Sequence, residues 1–330
     1  MSFIMNIRSV AKYESKILVR SWFFRIFTLL AVVFLGFFNF AMMLMEDNFG
    51  LWFAKSVSSN IPYLNLLLLN TGQAVVAVFL SSEFLKRDKK LDTSEVFYVR
   101  PLSNAEYVVG KIWGNLRVFL FLNLLVLAIV LAFNFMASGV TVDLPAYLVY
   151  FFLISIPTLI FIIGLSIFLM LLLKNQALTF ILLLGYIGLT LFYIQDKFYY
   201  LFDYMVYNLP LFKSTIVGFS NLELILNHRA IYFFAGLGFI FFTIFLFKRL
   251  PNARRSHYPW LFLSFCMFLL MVTAGFRHVR SILWEGEMRA LYTSINNKYV
   301  YEPKMAIDYY DISVEQKSET IRSVVGMEGT

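Results

Sequence analysis

The chain is poor in cysteine, in charge and in the residue patterns that do chemistry. Its single cysteine, Cys266, lies inside an apolar run, which excludes an intramolecular disulfide and argues against a cysteine-based metal site. Charged residues make up 15% of the sequence and hydrophobic ones 60%, against roughly 25% charged in a soluble domain. Most of this chain therefore needs an apolar solvent, and an integral membrane protein is expected. The three histidines, His228, His257 and His278, are far apart and lack metal-ligand spacing. His228 and His278 fall on the predicted outer side and His257 on the inner, so the three cannot form one site. There is no HExxH, no Ser-His-Asp order with its local signatures and no intramembrane carboxylate pair. No catalytic or metal residue is assigned, and an enzyme reading has nothing to rest on. Gly110-Lys111 could pass for the end of a phosphate loop, but a P-loop needs Gly five residues earlier and Ser or Thr after the Lys. Ala105 and Ile112 occupy those positions, so no nucleotide cofactor is expected on this chain.

What is present is a series of long apolar segments. A spanning helix needs about 20 mostly apolar residues, and seven segments qualify: Ile26 to Met45, Ile61 to Ser82, Val118 to Ala137, Ala146 to Leu173, Ala177 to Ile194, Ile231 to Phe247 and Pro259 to Phe276. None of them carries a central Lys or Arg. No small-x-small cleavage site follows the first, so it is expected to stay as an anchor. Pro157 should kink the fourth by removing a backbone donor. Arg8, Lys12, Lys16, Arg20 and Arg25 precede the first segment, and further basic clusters lie at 86–90 and 248–255. Basic residues favour the cytoplasmic side, which puts the N-terminus inside and the C-terminus outside. The net charge of +8 is explained by this topology, and no nucleic-acid partner is expected.

Two polar stretches stand out. In Asn6 to Trp22, Arg8, Lys12, Lys16 and Arg20 recur every four residues, confined to an arc of about 120° at 100° per residue, with Ile7, Val10, Ile17 and Leu18 opposite. This pattern predicts an interfacial helix with its cations toward anionic headgroups. Glu14 falls in the apolar arc, where a carboxylate is either solvated by snorkelling or paired to a protein cation. The second stretch, Glu83 to Lys111, is a basic island between two apolar segments. It contains Glu83, Arg87, Asp88, Arg100-Pro101-Leu102-Ser103 and Glu106-Tyr107. Ser103 with Glu106 three residues later forms a capping box for a helix start. Outside the bundle, Gln195 to Ala230 holds Tyr199, Tyr200, Tyr204 and Tyr207; the plain reading is an interfacial aromatic belt.

The ordered set of a glutamate at Glu83, a mixed-charge run, Arg100-Pro101-Leu102-Ser103 and Glu106-Tyr107-x-x-Gly110-Lys111 resembles the loop between the second and third membrane helices of ABC-2 type transporter permeases. Glu14 followed by Arg20-Ser21 is similar to the membrane-lying first helix of that family. The resemblance covers residues 1–250 and implies an all-α polytopic fold: a six-helix transmembrane domain with an N-terminal interfacial helix. Residues 251–276 would add a seventh helix with its preceding cytoplasmic loop, and 277–330 a short β-prone extracytoplasmic tail. It further implies a bacterial inner-membrane exporter subunit that pairs with a second permease half in the lipid bilayer. A cytoplasmic ABC ATPase would dock onto the coupling element Glu83, Arg87, Asp88, Arg100, Pro101, Leu102, Ser103 and Glu106, with ATP and Mg held on that partner. The four tyrosines are similar in place to residues lining the family's outer gate, on short re-entrant helices. A non-transporting anchor for an extracytoplasmic domain is the alternative.

In the tail, Ile307, Tyr309, Ile312 and Val314 predict one strand and Glu319 to Val325 a second, after a turn at Glu315-Gln316-Lys317-Ser318. Ile307 to Val314 looks like the opening strand of the M1-peptidase-related region joined to some permeases. Its zinc motif is absent from these residues.

Overall fold

A computed structural model describes residues 2–44, 59–82, 102–136, 142–209, 211, 213, 218–219, 221–247, 258–302, 307–317 and 320–329. Helix α1 (Ser2–Arg20) is followed by seven helices long and apolar enough to cross a membrane: α2 (Trp22–Leu44), α3 (Asn60–Ser82), α4 (Asn104–Met136), α5 (Leu144–Leu173), α6 (Gln176–Ile194), α7 (Leu222–Leu246) and α8 (Tyr258–Tyr299). This is the architecture of a multi-pass membrane protein. Strands β1 (Ile307–Lys317) and β2 (Thr320–Gly329) pair antiparallel.

Hydropathy alone misplaced several helix ends, because polar residues can lie on a helix when protein rather than lipid surrounds them. Helix α4 begins 14 residues before Val118, and its early turns bury Glu106, Lys111 and Asn115. Helix α7 begins at Leu222, so His228 and Arg229 belong to a membrane-length helix and not to the external segment. Helix α8 continues to Tyr299, far beyond Phe276. Its 42 residues measure about 63 Å at about 1.5 Å per residue, twice the roughly 30 Å of bilayer hydrocarbon. In the hairpin, Glu315, Gln316 and Lys317 lie in β1, so the predicted turn was placed too early.

The core is an interdigitated layer of α3, α4, α5 and α7. Helix α5 sits deepest, with Leu159, Ile162, Ile163 and Ile167 almost fully buried. Gly164 of α5 and Gly236 of α7 let these two backbones touch: a Cβ at Gly236 would fall 2.7 Å from the Ile160 carbonyl, the close approach that small residues permit between membrane helices. The interruption expected at Pro157 takes the form of a π-helical turn, Phe151–Ser155. Buried amides link the layer. Asn70 and Gln73 of α3, Asn123 of α4 and Ser155 of α5 bond one another, with Asn123 Nδ2 2.7 Å from Gln73 Oε1 and Ser155 Oγ 2.8 Å from Asn123 Oδ1. Asn39 Nδ2 of α2 donates to Asn65 Oδ1 of α3 at 2.7 Å. Among the helices, α2, α6 and α8 carry most of the exposed large apolar side chains, including Leu29, Phe37, Phe192 and Phe265, as a lipid-facing periphery requires.

Candidate functional site: a cross-braced helix corner and a plug at the far end

At one end of the bundle, α1 lies against the first half of α4. Its buried face is Val10, Ala11, Glu14 and Leu18, while Arg8, Lys12, Lys16 and Arg20 are exposed, as the four-residue spacing required. Gly110 and Gly114, one helical turn apart, form the groove that receives it. A Cβ on Gly110 would meet Val10 Cβ at 2.7 Å, and one on Gly114 would meet Glu14 Cβ at 2.7 Å and the Ala11 carbonyl at 2.9 Å. Polar bonds fix the register. Ser15 Oγ donates to the Gly114 carbonyl at 2.7 Å, and Arg117 reaches back to Ser15 and, at 2.7 Å, to the Ala11 carbonyl.

The two readings of Glu14 are settled in favour of pairing: Lys111 Nζ lies 3.2 Å from Glu14 Oε1, and both side chains are buried. The same ammonium sits 4.9 Å from the centre of the Tyr107 ring. Tyr107 in turn stacks on Phe247, at 5.5 Å and 7°, at the end of α7. The capping box forms as its spacing predicts. Glu106 N donates to Ser103 Oγ at 3.2 Å and Ser103 N donates to Glu106 Oε2 at 2.6 Å. Sequence reasoning missed that Glu106 also accepts from Asn6 of α1 at 2.9 Å and that Asn104 donates to the Phe247 carbonyl at 2.6 Å. One short helix start thus ties α1, α4 and α7 together. Leu102 precedes it, half-buried. Glu83, Arg87, Asp88, Arg100 and Pro101 lie outside the described residues.

At the other end, residues 198–209 and Leu211 fold into the mouth of the bundle. Tyr204, Met205, Val206, Leu209 and Leu211 are almost fully buried. Side chains of the surrounding helices hold this plug by its backbone. Tyr63 of α3 donates to the Val206 carbonyl at 3.1 Å, Tyr150 of α5 to the Leu211 carbonyl at 2.8 Å, and Tyr232 of α7 to the Leu201 carbonyl. Lys213 pairs with Asp143, before α5, at 2.7 Å. In place of re-entrant helices, the described residues of this segment contain a left-handed turn, Phe198–Tyr200, with φ of 51°, 59° and 62°, and a further left-handed residue, Val206, with φ of 67°. Left-handed backbone costs a residue bearing a Cβ about 1–2 kcal/mol, so this turn persists only because its surroundings hold it. The four tyrosines of this segment divide. Tyr204 points inward among Phe161, Tyr186 and Tyr232, Tyr207 hydrogen-bonds Thr71 of α3, Tyr200 is half-buried, and Tyr199 is exposed.

Arg229 is the polar centre of this end. Pro157 has no N–H, which frees the carbonyl four residues earlier; that carbonyl is Leu153's, and Arg229 Nε donates to it at 2.7 Å. Its other nitrogens reach Thr158 Oγ1 and the Tyr204 carbonyl, each at 2.8 Å. A guanidinium buried in a membrane helix is explained by this bonding. Asp203 caps the next turn of the plug, accepting from Tyr207 N at 3.0 Å and Asn208 N at 2.8 Å. Burial pushes its carboxyl above the ordinary value of 3.8, opposed by these two bonds and by the Arg229 charge. Against the expectation that the histidines are far apart, His228 and His278 meet with ring centres 5.0 Å apart. The sequence signal that could have found this plug was a histidine and arginine directly ahead of an apolar run. Among the described residues, no group of three or more His, Cys, Asp or Glu could hold a metal.

Fold and site together define a polytopic helical membrane protein with an amphipathic N-terminal helix braced to its bundle and a plugged far end. No protein-family model matches the chain, and no curated protein matches it.

Proposed function

We propose that this chain is the permease subunit of an ATP-binding cassette exporter of the ABC-2 type, paired with a second permease half and driven by a separate cytoplasmic ATPase. The observation that carries the reading is the braced corner. The helix start directly after the basic island is capped by Ser103 and Glu106, and Asn6 and the Glu14–Lys111 pair lock it to the amphipathic helix. A docking protein that pushes on this corner would move α1, α4 and the end of α7 as one body, which is what a coupling element has to do. The braced end is then cytoplasmic and the plugged end extracytoplasmic, in keeping with the exposed basic face of α1. The plug, with Tyr204 and Tyr207 inside it, supports the outer-gate assignment.

A second reading, a non-transporting anchor that displays an extracytoplasmic domain, is favoured by one feature. Beyond the bundle α8 is almost entirely exposed, and the hairpin presents an apolar face of Tyr310, Ile312 and Val314 beside Val325 and Met327. A lone two-stranded hairpin is marginal in water. Purification of the tagged chain from its own membranes in mild detergent separates the two. The permease reading predicts an ATPase in stoichiometric amount, and the anchor reading predicts none.

A further inference from the structure

The left-handed turn Phe198–Tyr200 is clasped by two histidines from two different helices. His228 Nε2 of α7 lies 3.0 Å from the Tyr200 carbonyl, and His278 Nε2 of α8 lies 2.9 Å from the Tyr199 carbonyl. A carbonyl oxygen carries no proton, so in each ring Nε2 must be the donor, which fixes the tautomer and leaves Nδ1 with a bare lone pair. Both Nδ1 atoms are buried without a hydrogen-bond partner, and both histidines are fully buried. Any added proton has to go to Nδ1. It would create two imidazolium ions with ring centres 5.0 Å apart and, at His228, an N–H with no acceptor; beside His278 the Leu224 carbonyl could accept.

The charged and titratable groups around the pair do not relieve this. On α7 they are Arg229, a further cation, and Tyr232, whose ring lies 5.3 Å from that of His228. Glu223 of α7 is spent in an exposed ion pair with Arg277 of α8 at 3.0 Å. Arg280 follows on α8. From the plug come Tyr199, Tyr200 and Asp203, whose carboxylate is engaged by backbone N–H groups of its own loop.

We propose that His228 and His278 form a proton-operated latch: with both rings neutral they hold the left-handed turn and so the plug, and protonation of Nδ1 releases it. Once the clasp opens, the turn loses the two side-chain bonds on its own carbonyls, leaving Tyr232 on Leu201 and the contacts further along the plug to oppose its unfavourable backbone, and the chain from Phe198 to Leu209 opens more readily from the bundle mouth. The inference concerns how the plug is held and released, which the permease reading does not address, and it stands whether or not the chain transports anything. On the orientation proposed above, the latch reads the pH outside the cytoplasm.

Hydrogen–deuterium exchange of the full chain in lipid nanodiscs tests it, following amides 198–209 at pH 7.5 and pH 5.5 after correction for the intrinsic pH dependence of exchange. A released imidazole titrates near 6.5, so each histidine raises the opening equilibrium about tenfold at pH 5.5 and the pair about a hundredfold. The expected result is that increase in the wild type, confined to the plug, with amides of α3 and α5 unchanged. In His228→Gln/His278→Gln, glutamine Nε2 keeps both donors but cannot titrate, so protection should be the same at both pH values. If the double variant does not fold, His278→Gln alone should retain only about a tenfold increase. A wild-type plug equally protected at both pH values would overturn the proposal. So would a glutamine variant that still opens a hundredfold.

Discussion

Glu14 and Lys111 show how a single buried pair can be half legible. The carboxylate was conspicuous because it interrupts an apolar arc, whereas Lys111 looked like any basic residue at the edge of a membrane segment. Its partner lies on another helix, and no local period connects them. Both charges are buried, and breaking a buried ion pair by removing one member costs about 3–5 kcal/mol. Glu14→Leu and Lys111→Met should each lower the thermal unfolding midpoint in detergent strongly, and the double variant should be less destabilised than the sum of the two. A double variant as unstable as the sum of the singles would show that the two do not interact. Asp203 makes a second residue-scale prediction, with a definite sign. Burial raises its pKa, so the folded state favours the neutral acid, and stability from this group is complete at low pH and lost as pH climbs above 3.8. Asp203→Asn should therefore have a flatter stability profile than wild type across that range. A parallel profile for the two proteins would contradict the assignment.

Elements were more legible than their ends. All seven spans were visible as apolar runs, and α1 was visible from its basic stripe. The misplaced ends have a common cause: hydropathy scores a residue as if lipid surrounded it, while the early turns of α4 and α7 are surrounded by other helices. That is why Lys111 and Arg117, and His228 and Arg229, fell outside the expected spans. The groove for α1 was missed because Gly110 and Gly114 are meaningful only against the backbone that fills them. Gly114→Leu would drive a side chain into the Ala11 carbonyl and Glu14 Cβ. Overpacking of this kind costs about 1–3 kcal/mol, and disulfide trapping between cysteines placed on α1 and α4 should fall. Gly185→Leu, where a side chain meets open space, should behave as wild type. Equal effects of the two would mean that α1 is not seated in this groove.

For the whole molecule, seven spans and a braced amphipathic helix make a bundle whose two ends differ in kind. One end is rigid, cross-linked by side chains and flanked by basic residues, and the other is closed by a backbone plug. The orientation proposed above rests on charge asymmetry, and cysteine accessibility checks it in a Cys266→Ala background. A cysteine at Ser94 should be shielded from a membrane-impermeant thiol reagent in intact cells, and one at Ser318 should react. The reverse pattern would invert the protein. The proposed orientation can be argued from the sequence because it rests on the charges themselves. The rigidity of the corner could not, since it arises from contacts between residues about a hundred positions apart, such as Asn6 with Glu106.

The coupling role is the claim on which the account depends, and Arg100 is the residue at which to test it, because it immediately precedes the braced helix start. The measurement is ATP turnover by the co-purified ATPase in the same membranes for wild type and Arg100→Glu. Breaking a charge pair desolvated at an interface costs about 2–5 kcal/mol. The account predicts normal membrane insertion of the variant and a turnover at least about tenfold below wild type, since about 1.4 kcal/mol already corresponds to tenfold. Unchanged turnover, with the variant inserted and the ATPase bound as before, would contradict it.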